Sequence, residues 1–205
     1  MDTGRLITRL TIGSLFVGHG TQKLFGLFGG SGMKGTAEFF EGMGLRPGRR
    51  HALGAGLAET LGGALLAVGL LTPAAASLLT GVMTTATRKV HAKNGVWVAE
   101  GGFEYPAVIV ATLAGLVEVG PGRASLDSRL FPRLRGLGWA AASIGAGVAG
   151  SYLNERYFVE AAAPQQSTQA SPTEPSQAPP TDAGDPASLD GEREPARVGS
   201  SVEGG

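Results

Sequence analysis

The chain contains no cysteine. That single absence removes disulfides, iron–sulfur clusters, zinc–thiolate sites and thiol catalysis. Phosphate-binding signatures are missing as well. The glycine-rich stretch Gly29-Gly30-Ser31-Gly32 is not followed by Lys-Ser or Lys-Thr, so it does not read as a phosphate loop. No nucleophile triad and no metal-ligand spacing stands out, and no metal site is expected. No cleavable leader is expected either. The apolar run after Met1-Asp2-Thr3-Gly4-Arg5 is interrupted by His19, Gln22 and Lys23, with no small-residue cleavage site behind it. We therefore expect the first apolar segment to remain in the protein.

Net charge is absent too, but only as an average. Residues 1–160 hold 15 Lys and Arg against 10 Asp and Glu, a balance of +5. Residues 161–205 hold Arg193 and Arg197 against seven acids, a balance of −5. A basic body suits a membrane with anionic lipids. The tail carries seven prolines and no aromatic residue. Such a segment cannot bury enough apolar surface to offset its ordering entropy, so residues 161–205 are read as a disordered extension.

What the sequence does have is long apolar segments. A spanning helix needs about 20 mostly apolar residues. Four segments come close: 6–28, 52–71, 74–90 and 103–119. A fifth, 138–153, is short and rich in Gly and Ala. The expected fold is all-α: a polytopic transmembrane bundle of four core helices plus a fifth. This divides the chain into a membrane domain at 1–130, a basic connection with the fifth helix at 131–160, and the tail. The link Leu71-Thr72-Pro73 is so short that helices two and three must be antiparallel neighbours. Thr72 is expected to cap the third helix and Pro73 to occupy its first turn. Between the first two spans, Thr36 to Glu41 reads as a short interfacial helix, with Phe39, Phe40 and Met43 in the headgroup region.

Small residues recur at four-residue spacing in the second segment (Gly54, Ala58, Gly62) and the fifth (Gly138, Ala142, Ala146, Gly150). Such residues let helix backbones approach closely in lipid. Glu59 shares a face with Ala55 and Gly63, which places it toward a neighbouring helix.

Depth then groups the ionisable residues. In an up-down bundle His19 and Lys23 end the first helix and Glu59 lies early in the second. Arg88 and His91 close the third, and Glu104 opens the fourth. All six fall at one level. Lys23, Glu59, Arg88 and Glu104 balance their charges, which lowers the penalty of about 2.5–3.5 kcal/mol for a lone charge in a spanning helix. Two readings stand beside each other: ion pairs that fix helix register, and a site for a polar head group or a proton. Which cation meets which carboxylate is not legible. The opposite ends are apolar except for Arg5 and Arg9, which are expected to snorkel. His51, in a loop beside two arginines, is read as a solvated interfacial residue. Haem is not expected: His19 and His91 share a level, but nothing aims both rings at one iron.

These residues carry a resemblance. His19-Gly20, Lys23-Leu24, Glu59, Gly62-Gly63 and Gly69 come first. His91, Asn94-Gly95 and Gly101-Gly102-Phe103-Glu104 follow, then the run from Gly120 to Asp127. In this order, on four apolar segments, the chain resembles the DoxX family of small bacterial and archaeal membrane proteins over roughly residues 5–130. The resemblance implies a four-helix membrane core. It also implies a place in a redox-related complex, since some relatives are subunits of quinol- or thiosulfate-linked oxidoreductases. Others associate with superoxide dismutase and a sulfurtransferase. It carries over no catalytic set. Quinone is the cofactor it suggests, and the expected partners are lipid, redox-complex proteins and a second copy of the chain, with no nucleic acid. A non-catalytic scaffold and a small solute or proton pathway remain as alternatives. The segment Gly120 to Asp127 is read as structural, a Gly-Pro-Gly turn with Ser125 and Asp127 as caps. The arginine-dense run from Arg123 to Arg135 favours a cytoplasmic N-terminus in the cell membrane.

Overall fold

A computed structural model of the chain describes residues 2–160, with side chains to Tyr157. The expected tail lies outside the described residues. The described part is built from seven helices and contains no strand. They are α1 (Asp2–Phe25), α2 (Gly32–Gly42), α3 (Gly48–Val68), α4 (Thr72–Ala86), α5 (Glu104–Val119), α6 (Asp127–Leu130) and α7 (Leu137–Glu160). By length and apolarity α3 is the one described helix that qualifies as a membrane span. At 24 residues each, α1 and α7 are long enough but contain no window of 18 residues as apolar as a span requires. At 15 and 16 residues, α4 and α5 are short.

Helix ends follow glycine and proline. α1 stops at Phe25 because Gly26 turns left-handed at φ 72°, three residues before the expected end. Pro47 starts α3 four residues earlier than expected. Gly69 stops it in the left-handed conformation, and its neighbour Leu70 donates back to the Leu65 carbonyl. A side chain at Gly69 would also collide with the guanidinium of Arg9. α4 runs on without a break into a wider π-helical turn, Thr87–His91. The helix expected at 36–41 is present and longer, Gly32–Gly42, and Phe40 is buried against Leu45 and Ala52.

The α1–α3 pair packs backbone to backbone. A Cβ at Gly13 would sit 2.6 Å from the Gly63 carbonyl oxygen, and Gly20 meets Gly56 and Thr60 in the same way. This is the small-residue contact that lipid-embedded helices favour. α4 sits at the centre, packed on α3, α5 and α7. Leu66, Leu79, Leu113 and Val117 are fully buried around it. α7 runs parallel to α4: Gly147 lies against Gly81 and Thr80, and Thr85 bonds Ser151 at 2.8 Å. The face α7 buries is Ala140, Ser143, Gly147 and Ser151. The Gly138, Ala142, Ala146 and Gly150 stripe lies beside it and stays exposed.

Candidate functional site

Gly13, Gly20, Gly56 and Gly63 bring α1 and α3 close enough for a charge on one to reach the other. Lys23 Nζ donates to Glu59 Oε2 at 2.6 Å, and Glu59 is 3 % exposed. An ammonium carries three donors, and this contact uses one. Both residues line a cavity of about 510 Å³, a size within the usual range for small-molecule sites. Its walls come from α2, α3, α4 and α7 and are mostly apolar, including Phe40, Met43, Leu78 and Val82. Its polar lining includes Lys89, His51 and His91. His51 is therefore no solvated loop residue: it stands in the first turn of α3 at 4 % exposure. The helix begins four residues earlier than the apolar run suggests, and this turns the ring inward.

The six residues grouped by depth separate into smaller units. Lys23 and Glu59 form one pair. Arg88 finds its carboxylate on α7: Nη2 donates to Glu155 Oε2 at 2.8 Å, while Lys89 bonds the other oxygen. Arg88 also stacks on the Tyr152 ring at 3.6 Å. Glu155 lies beyond the apolar stretch 138–153, which is why a depth argument over four helices misses it. Lys89 directly follows Arg88 in sequence, and the parallel run of α7 beside α4 brings both to the same acid.

The other three members serve local structure or face outward. His91 Nδ1 donates to the Gly101 carbonyl at 2.7 Å, and Asn94 reaches the same oxygen. Glu104 accepts the Val98 N–H at 3.0 Å. Together they fasten the loop between α4 and α5. His91 still reaches the cavity lining, whereas Glu104 does not. His19 is exposed on α1 and bonds Gln22 at 3.1 Å. Among the described residues no group of three His, Cys, Asp or Glu is placed to hold a metal.

The opposite end of the bundle also differs from expectation. Arg9 does not snorkel: it is 1 % exposed and donates to the Ala124 carbonyl at 2.6 Å. Arg5 bonds Asp2 and the Val119 carbonyl. Asp127 caps a distant helix start. Its carboxylate accepts the Leu71 N–H at 2.7 Å, the Thr72 N–H at 2.8 Å and the Thr72 hydroxyl at 2.6 Å. Thr72 is thus capped rather than capping, with Pro73 in the first turn as expected. Ser125 does cap locally, accepting the Ser128 N–H. The run Gly120 to Asp127 is a structural latch on the α3–α4 corner.

A DoxX family model matches residues 4–92. That range holds α1 to α4 and the Lys23–Glu59 pair, and it ends before α5 and α7. An uncharacterized protein of Haemophilus influenzae is 38 % identical over 71 residues, covering 35 % of this chain and 47 % of its own length. The matched stretch thus spans about half of that relative. No solved structure matches the chain.

Proposed function

We propose that the chain, whose residues 4–92 match the DoxX family model, is the membrane subunit of a redox-related complex that holds a quinone head group in the Lys23–Glu59 cavity. The observation that carries this reading is the buried pair at the edge of a 510 Å³ apolar cavity. Charges inside a membrane bundle mark functional sites by default. Lys23 has donors left to offer a quinone carbonyl. Glu59 stands beside it to exchange a proton with the hydroquinone hydroxyl.

The bundle crosses the cell membrane several times. α1, α3, α4 with its π turn, and α5 form the four-helix core, and α7 is the fifth span. Outward apolar ridges support this: Leu53, Leu57 and Leu61 on α3, Ile7 and Leu15 on α1, and Val108 and Val119 on α5 are all exposed. In water such a surface would drive aggregation; in lipid it is the expected exterior. The arginines between 123 and 135 favour a cytoplasmic N-terminus, with the cavity's polar end toward the other face.

The test is purification in mild detergent followed by quinone extraction and identification of bound proteins from one sample. Wild type retains quinone and a redox partner, and Glu59→Gln retains less quinone. A preparation that holds neither quinone nor a redox partner overturns the reading.

A further inference from the structure

Charge is distributed differently at the two ends of the bundle. At the Lys23 end carboxylates are interspersed with the cations. Lys34 stands four residues from Glu38 on α2, Lys23 meets Glu59, and Arg88 and Lys89 meet Glu155. At the Arg9 end, among the described residues, Arg5, Arg9, Arg123, Arg129, Arg133 and Arg135 stand against Asp2, Glu118 and Asp127. Asp2 is bonded to Arg5, and Asp127 is buried under its three donors from the α4 start. That leaves Glu118 to balance four exposed arginines, all on the connection between α5 and α7.

The connection is pinned, so these arginines keep their place. Leu126 and Asp127 donate to the carbonyls of Val68 and Gly69 where α3 ends, and Gly136 donates back to the carbonyls of Val117 and Glu118 on α5. Arg135 lies against Gly120, where a Cβ would be 3.0 Å from its Cδ, and the Gly120 carbonyl accepts from Arg5. Apolar side chains are interleaved with the cations: Leu130, Phe131, Leu137 and Trp139 are all exposed. Such a surface is matched by anionic oxygen and hydrocarbon at adjacent depths, which a phospholipid headgroup region offers. A dissolved phosphate would match the arginines alone. The acidic segment 161–205 follows the far end of α7, a helix of 24 residues and therefore about 36 Å long at about 1.5 Å per residue.

We propose that the α5–α7 connection is a docking surface for anionic phospholipid. Arg129, Arg133 and Arg135 meet the headgroup phosphates, and Leu130, Phe131, Leu137 and Trp139 enter the upper acyl layer. This rests on the membrane reading of the bundle and is independent of any ligand in the Lys23–Glu59 cavity. Planar guanidinium forks suit phosphate oxygens. A zwitterionic headgroup brings its own cation, which the arginines repel, so net negative lipid is preferred.

The two tryptophans of the chain supply the probe. Trp97 lies in the α4–α5 loop and Trp139 beside the arginines, in the first turn of α7. Trp97→Phe leaves Trp139 as the sole indole. The full chain is reconstituted in phosphatidylcholine bilayers. Quenching is then titrated with a phosphatidylglycerol and a phosphatidylcholine, each brominated near the top of the same acyl chain. The ratio of their quenching strengths is the headgroup preference at Trp139. It should favour phosphatidylglycerol by about threefold or more and fall as salt is raised. Adding Arg129→Gln, Arg133→Gln and Arg135→Gln should bring the ratio to one. All three side chains are exposed, so the helicity of that variant should equal that of wild type. In the reverse protein, Trp139→Phe, the ratio read at Trp97 should not respond to the three arginine substitutions. A ratio of one at Trp139 with the arginines intact overturns the lipid assignment, leaves the arginines to a protein carboxylate, and spares the membrane reading. A preference that survives loss of the three arginines overturns the assignment too. No quenching of Trp139 by either lipid takes the start of α7 out of the bilayer and overturns both readings together.

Discussion

Replacing Lys23 by methionine removes the cation from a carboxylate that is 3 % exposed. Glu59 cannot move to water, because Gly56 and Gly63 hold its helix against α1. Breaking a buried pair by removing one partner destabilises by about 3–5 kcal/mol, since the remaining charge is uncompensated. Glu59→Gln is the milder break. Lys23 has a 25 % exposed side chain and can extend its ammonium toward polar surroundings, so about 1–3 kcal/mol is expected. The double variant Lys23→Met with Glu59→Gln removes both charges at once. Replacement of a buried pair by neutral groups is often close to neutral. The two single effects should therefore not add, and with the double variant near wild type the cycle should show a coupling of about 4–8 kcal/mol, as large as the two single effects together. Equilibrium unfolding in mixed micelles, followed by helicity, measures all four proteins. Quinone retention on the same samples separates stability from function: the double variant should fold like wild type and hold no quinone. A Lys23→Met protein as stable as wild type would refute the argument. Strictly additive single effects would do so too, for they would mean the carboxylate has another compensating partner.

Asp127→Ala should destabilise by about 3 kcal/mol, because it strips the α4 start of two backbone acceptor contacts and one hydroxyl contact; limited proteolysis should then open the chain near Gly69. Glu155→Gln removes the carboxylate that Arg88 and Lys89 share and should destabilise by about 1 kcal/mol. Unfolding in the same mixed micelles reads the difference, and a variant as stable as wild type would refute it. Gly147→Leu should disrupt the α4–α7 contact and cost about 3 kcal/mol, whereas Gly150→Leu one turn on should leave stability unchanged, as read by the same micelle unfolding.

The helices were legible because apolar runs bounded by Gly and Pro leave few choices. Existence and type hold for all five long segments, and the differences lie at their ends. Those ends mattered: starting α3 at Gly48 rather than Ala52 moved His51 from an assumed loop into the cavity wall. The Lys23–Glu59 contact was legible as a shared level but not as a pair, since depth along an axis says nothing about rotation around it. Arg88 shows the limit directly. Its partner is Glu155, brought there by the parallel run of α7, and no helical period in one segment encodes which neighbour lies alongside. Asp127 was legible as a cap by residue type, but its target lies 55 residues away in sequence at Thr72.

Both ends of the bundle set a basic residue near a buried carboxylate, yet only one end has room beside the pair. At the Arg9 end, Asp127 is occupied by three donors from the α4 start, and Gly69 gives up its side chain so that the guanidinium can fit. Arg9 cannot turn toward a ligand without giving up its contact with Ala124. At the Lys23 end the ammonium borders the cavity. Charge alone therefore does not locate the site, for the sequence carries basic residues at both ends. Packing does. Glycines that close a contact, at 13, 63 and 147, fix the bundle, and glycines whose Cβ would meet open space, at 54 and 150, line the cavity that the Lys23–Glu59 pair borders. Filling the second group is thus the more direct probe of function, because it alters the cavity and spares the charges.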